Sequence, residues 1–421
     1  MKQIVLIIQI ILMGLLSANA QRPMLDTQTQ AFNPNFKNIR AYLSTNELAP
    51  AIITLNSDDQ LIISFDESTD QTSYLRYSLI HCNADWQPSS LLDSEYLDGF
   101  NFADIEDYAY SEGTFAHYVN YRITIPNDNI VFLKSGNYLL QVYPDDNSDE
   151  ILLQTRFYVS ESLVSINATV SANTDKNYMT TSQQVSFTVN TGNYQIFDAR
   201  RDTKAYVTQN TRIDNEVIAD APLRIQGSNL YYEHNAALIF PAGNEYRRFE
   251  NTSSSYAGMN IENIEYFHPY YHMTLYTDHP RSDTPYIYDK TQNGVYVNNA
   301  MNVYDVDTNS DYNVIHFALK TSEIYGGKLY LNGNLTNNQF NSNSQMHYNS
   351  MTGCYEIALL LKQGAYNYQY LWVPDGSTVG YTQTFEGDKY QTVNQYTIRY
   401  YHRTPSDRYD RLIGYTLLYS N

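Results

Sequence analysis

Between residues 52 and 401 the chain repeats one pattern: short runs in which apolar and polar residues alternate, separated by turn sequences. Leu75, Tyr77, Leu79 and His81 share one side of such a run. Val119, Tyr121, Ile123 and Ile125 share one side of another, and Tyr366, Tyr368, Tyr370 and Trp372 one side of a third. A period of two is what a half-buried strand requires, because successive side chains point to opposite faces of the sheet. The runs lack the three-to-four spacing of a helix face, so the chain reads as all-β.

Turn residues give the spacing between strands. Pro126, Ser135-Gly136-Asn137 and Pro144-Asp145-Asp146-Asn147 punctuate the first series, which runs through 52–55, 61–65, 74–81, 118–125, 138–143 and 151–159. About seven short strands at such intervals fit an immunoglobulin-like β-sandwich. A pause near Ser160 precedes a second series at 166–170, 185–189, 205–209, 230–240, 272–276, 286–289 and 294–298. A third begins near Tyr312 and ends with a strand at 397–401 and a charged tail at 407–413. The expected organisation is therefore tandem immunoglobulin-like β-sandwich domains at 38–160, 161–305 and 306–421, after a polar leader at 21–37.

The first 20 residues read as a cleaved secretory signal. Lys2 supplies the positive start, 4–16 the apolar stretch, and Ala18-Asn19-Ala20 the small-residue cleavage site. Gln21 after the cut, where a lipid-anchored protein carries Cys, argues against a lipid anchor, and no later run is long and apolar enough for a transmembrane helix. With only Cys82 and Cys354, in different expected domains, a disulfide framework is not what holds this exported chain together. The formal charge of −19 disfavours nucleic acid and anionic membrane surfaces as partners. The 42 tyrosines suit half-buried strand positions first and interaction surfaces second.

Residues 81–102 (HCNADWQPSSLLDSEYLDGFNF) interrupt the alternation and crowd His81, Cys82, Asp85, Asp93, Glu95 and Asp98 together. A metal site is not expected from them. His81 and Cys82 are adjacent on a strand and point to opposite faces, and Asp93, Glu95 and Asp98 miss the alternate spacing of a calcium loop. Glu95, Asp98 and His81 could in principle exchange protons. The chain nevertheless has no nucleophile elbow, phosphate loop or zinc-protease motif, so no catalytic residue and no cofactor is assigned. His81 is expected to be partly buried and hydrogen-bonded, and Trp86, ahead of Pro88, to pin a long inter-strand loop.

Two resemblances sharpen this reading. KLYLNGN at 328–334, GCYEI at 353–357 and LKQGAYNYQY at 361–370 are similar to early-set immunoglobulin-like domains, which include glycogen-binding modules. Asn337 and Asn338 stand where such modules place a ligand-stacking tryptophan. RYSLIHCNADWQP at 76–88, EYLDGF at 95–100 and SGNYLL at 135–140 resemble the plug protein family of the type IX secretion system. FPAGNEY at 240–246, 289–297 and DRYDRLIG at 407–414 resemble the same family.

The second resemblance implies a non-enzymatic periplasmic protein, peripheral to the outer membrane of Bacteroidota-type bacteria. Its implied partner is the outer-membrane translocon barrel protein, whose periplasmic mouth it closes when idle. It implies no catalytic residues, no integral membrane insertion and no small-molecule ligand. Exposed aromatics around Trp86, Tyr96 and Phe100 are the expected partner-binding residues. The competing readings are an exported carbohydrate-binding protein using the 366–372 aromatic row, an outer-membrane β-barrel, and an enzyme. A barrel would turn many acidic strand positions towards lipid.

Overall fold

The computed structural model describes residues 26–176 and 178–420; the signal sequence expected at 1–20 lies outside the described residues. The described chain is all-β and divides into several discrete sheets, with helical turns of only three or four residues. No helix among the described residues is long and apolar enough to cross a membrane.

Two sheets share the first apolar cluster. One runs Gln30–Ala31, Leu153–Ser160, Gly136–Pro144, Leu75–Cys82, Ala103–Asp104, with Ile52–Thr54 pairing parallel to Leu153–Ser160. The other runs Phe36–Leu43, Leu61–Glu67, Val119–Ile125, Tyr108–Tyr110. Register aligns Tyr77 with Val142, Leu79 with Leu140 and His81 with Tyr138, which puts one side of the expected 74–81 run into the cluster. Ile63, Phe65, Tyr121 and Ile123 reach the same cluster from the second sheet. Residues 26–37, expected as a leader, include the edge strand Gln30–Ala31 and open the strand Phe36–Leu43, so they are part of the packed fold.

The remaining strands are nested. Ser165–Ser171, Ser182–Asn190, Asn229–Tyr232 and Arg224–Gln226 form one sheet. Its cluster partner is the sheet Val217–Ala219, Thr203–Gln209, Gln395–His402, Arg411–Tyr419, so Val185, Phe187 and Val207 pack with Tyr396, Ile398 and Tyr400. The chain between them builds a third cluster. Ile261–Phe267, Tyr270–Leu275, Tyr312–Lys320, Cys354–Lys362 and His347–Asn349 form a five-stranded sheet, and Arg247–Glu250, Gly364–Pro374 and Val297–Asn298 a second, with Gly327–Asn332 pairing Gly364–Pro374.

Strand pairing crosses the boundary expected near residue 306. Thr203–Gln209 pairs along its whole length with Gln395–His402, and Arg247–Glu250 pairs with Gly364–Pro374. The 407–413 tail likewise leads into a strand, Arg411–Tyr419, which pairs Gln395–His402. Alternation marks a strand and its buried face but carries no mark of a partner nearly two hundred residues away. The strand expected at 286–289 is irregular, and the run at 230–240 is split into Asn229–Tyr232 and Ile239–Pro241.

Candidate partner-binding surface

The segment 81–102 leaves the end of the strand Leu75–Cys82. Its side chains divide as the pleat requires. His81 turns towards Tyr138 and Tyr96, with ring centroids at 5.0 and 5.4 Å, while Cys82 packs on the other face with Leu139 and Trp86. His81 Nδ1 lies 2.8 Å from the Ser89 hydroxyl and Nε2 3.0 Å from the Ser135 carbonyl oxygen. An Nε2–H donor and an Nδ1 acceptor satisfy both contacts. Burial lowers the His81 pKa to about 4, against smaller upward effects of the Ser135 carbonyl and Asp410. Burial likewise raises the Cys82 thiol to about 12. A neutral, doubly engaged imidazole and a protonated thiol on opposite faces offer neither a base nor a nucleophile to a substrate.

Trp86 closes a turn in which its N–H donates to the Asn83 carbonyl at 2.9 Å, with a φ of +66°. A left-handed backbone at a bulky residue persists only when its surroundings hold it. Here the indole meets Tyr158 edge-on at 5.3 Å and lies under the Arg156 guanidinium, 4.1 Å from the ring centroid. Trp86 is 8% exposed and Tyr96 4% exposed. The Tyr96 hydroxyl lies 2.9 Å from the Leu79 carbonyl and 2.7 Å from Asp93 Oδ1. Both residues anchor the loop from within and are buried, where exposed aromatics are expected. Large aromatics with a polar tip are as well suited to pinning a loop as to an interface, and alternation stops before either residue.

Phe100 is the expected contact residue that reaches solvent. Leu97–Gly99 pairs with Ile130–Phe132, and Gly99, at φ +109°, leaves no room for a side chain because a Cβ there would meet the Asn129 carbonyl at 2.2 Å. The chain then turns outward and carries Phe100, 78% exposed, and Phe102, 51% exposed, with ring centroids 5.8 Å apart. Val131, paired with Asp98, and Leu133, whose N–H donates to the Tyr96 carbonyl, add exposed apolar side chains from the neighbouring strand and its end. Asn101 braces the base of this turn: its amide donates to the Leu79 carbonyl and accepts from the Leu79 N–H, each at 2.8 Å. The result is a pair of exposed aromatic rings on a braced loop, with exposed aliphatic side chains on the neighbouring strand and its end.

Residues 403–411 clasp the loop from the far end of the chain. Asp410 Oδ2 accepts from the Ala84 N–H at 2.9 Å, and the Asp410 N–H donates to Asn83 Oδ1 at 3.2 Å. Tyr409 meets His81 edge-on at 5.3 Å, and Arg408 pairs with Glu95 at 2.7 Å. The two most distinctive stretches of the sequence are thus in contact with each other. Sequence reasoning found both stretches but not their contact, which no local pattern encodes.

The aromatic row at 366–372 turns inward. Tyr366, Tyr368 and Tyr370 are among the largest fully buried side chains and Trp372 is 9% exposed, so the row is core and offers no stacking platform to a sugar. Among the described residues no group of three or more His, Cys, Asp or Glu side chains is arranged to hold a metal ion, and both cysteines are buried and free.

Residues 36–161 match the family described as the type 9 secretion system plug protein first domain. The crystal structure of a hypothetical protein from Parabacteroides merdae is similar over 94% of this chain and 100% of that one, with 42% sequence identity and a TM-score of 0.92. An alkylpurine DNA glycosylase from Pseudomonas fluorescens covers 30% of each chain at 10% identity and a TM-score of 0.18, too low to bear on the fold. No curated protein matches the chain.

Proposed function

We propose that this chain, whose residues 36–161 match the type 9 secretion system plug protein first domain, is a periplasmic, non-catalytic component that binds the periplasmic mouth of the outer-membrane translocon barrel and closes its pore when no substrate is passing. The observation that carries the reading is the braced, exposed cluster of Phe100 and Phe102, which lies inside the segment matched to the plug protein first domain. Sealing an aqueous opening reversibly asks for a rigid surface with a few apolar anchors and a polar surround. Asp98, Asp104 and Arg76 supply that surround, Arg76 pairing Asp104 at 2.5 Å with its guanidinium 5.8 Å from the Phe102 ring centroid. The accompanying fold reading is a set of immunoglobulin-like β-sandwiches, supported by the single apolar cluster that each pair of sheets shares.

Affinity purification of the chain from native outer membranes, with the bound proteins identified by mass, tests the partner. Recovery of the translocon barrel supports the proposal. Recovery of the chain alone, from membranes that contain the barrel, overturns it.

A further inference from the structure

The outer face of the five-stranded sheet carries a pair of histidines that the plug reading does not use. Tyr270–Leu275 and Tyr312–Lys320 lie side by side in parallel, with His272 in register with Val314 and Thr274 with His316. Met273, Ile315 and Phe317 turn into the core, so His272 and His316 both project from the opposite face, half-buried. Their rings are stacked, 5.1 Å between centroids and 27° between planes, and His272 Nδ1 lies 2.9 Å from His316 Nε2.

The surroundings are those of a ligand site. The pair lines a hollow of about 670 Å³ together with Glu265, Phe267, His347 and Glu356. Glu265 is the direct cross-strand neighbour of His272, and the Phe267 ring stands edge-on to it at 5.1 Å. Glu356 is held by Asn349 Nδ2 at 3.0 Å and the Thr352 hydroxyl at 2.6 Å.

We propose that His272 and His316 form a two-histidine chelate for a divalent late first-row metal ion, with copper(II) bound best. Two nitrogens held about 2.0–2.1 Å from one metal at a right angle are about 2.9 Å apart, which is the spacing found here and the geometry copper(II) and nickel(II) favour. His272 coordinates through Nδ1 and His316 through Nε2, each imidazole keeping its single proton on its other ring nitrogen. The proton now shared in the gap moves to that second nitrogen by exchange with solvent, so the neutral pair loses no net proton. Two protein ligands leave the other positions to water, which makes the ion exchangeable.

The test uses the full chain without an affinity tag, titrated with copper(II) and followed by calorimetry and electron paramagnetic resonance. The expected result is one tight equivalent whose spectrum shows two imidazole nitrogens. His272→Ala and His316→Ala each weaken binding about tenfold or more, while His234→Ala, at the histidine that contacts Asp175 beside another sheet, leaves it unchanged. Equal affinity in the His272 or His316 variants, with unchanged metal-free melting, overturns the proposal. So does a single-imidazole spectrum in the unaltered chain, a readout that does not depend on any variant folding.

Discussion

Lys362 places its ammonium 2.8 Å from Oδ2 of Asp66, with both side chains out of contact with solvent. The pair joins the first sheets to the five-stranded sheet, and its remaining valences are filled. Asp66 accepts from the Tyr312 hydroxyl at 2.6 Å and from Asn120 Nδ2 at 2.7 Å. The ammonium donates to the Asp307 carbonyl at 2.6 Å and sits 4.3 Å from the Tyr118 ring centroid. Removing one partner of such a pair strands the other charge, at a cost of about 3–5 kcal/mol, whereas removing both costs far less. Lys362→Met is therefore expected to lower the melting temperature sharply, and Lys362→Met with Asp66→Asn to recover much of the loss. Thermal unfolding of the three proteins checks this.

The clasp on the 81–102 loop contains contacts of very different worth. The Arg408–Glu95 pair is surface-exposed and screened, and contributes little. Asp410 instead supplies the acceptor for the Ala84 N–H, a group that has no ladder partner. Asp410→Ala is expected to speed amide exchange at Ala84 and its neighbours by about tenfold, equivalent to about 1.4 kcal/mol of lost protection. Arg408→Ala is expected to leave it nearly unchanged. Hydrogen exchange read by mass distinguishes the two.

Two buried groups make stability fall with acidity. His81 titrates near 6.5 when unfolded and near 4 in the fold, so below pH 6.5 the unfolded chain takes up a proton that the folded one refuses. For Glu386, burial alone would raise the pKa, but Arg247 and Arg281 outweigh it and hold the carboxyl at about 2. Its contribution is present above about 4.5 and is lost as pH falls towards 2. The melting temperature is expected to fall from pH 6.5 to about 4 through His81 and to go on falling from about 4.5 towards 2 through Glu386, with His81→Gln flattening only the upper part. Thermal scans between pH 8 and pH 3 check both.

Cys82 has 0% exposure and a thiol raised to about 12, so it is expected to resist a disulfide-exchange reagent at pH 8 until the chain unfolds. Trp86→Ala removes the indole that covers it and should make it react in the native state. A thiol assay with and without denaturant reads the difference.

The strands and their buried faces were legible wherever alternation was long. The 74–81 run emerged as Leu75–Cys82 with His81 buried and hydrogen-bonded, and the 366–372 row emerged as core. Strand partnership was not legible. The pairing of Thr203–Gln209 with Gln395–His402 rests on burial shared across a long stretch of chain and leaves no signal in either strand. The exposure of Phe100, which follows a glycine that ends a strand, was legible. Trp86 and Tyr96 were not, because an aromatic outside a periodic run carries no sign of the direction it faces.

Outer-membrane permeability in cells that make an intact translocon tests the proposed plug most directly. Loss of this chain is expected to admit a large hydrophilic antibiotic that otherwise stays outside. Re-expression of the unaltered chain should restore the barrier, and a Phe100→Ser, Phe102→Ser chain made at the same level should fail to do so. Cells lacking both this chain and the translocon should remain sealed. A strain without this chain that is no more permeable than its parent, with the translocon present in the membrane, would contradict the plug.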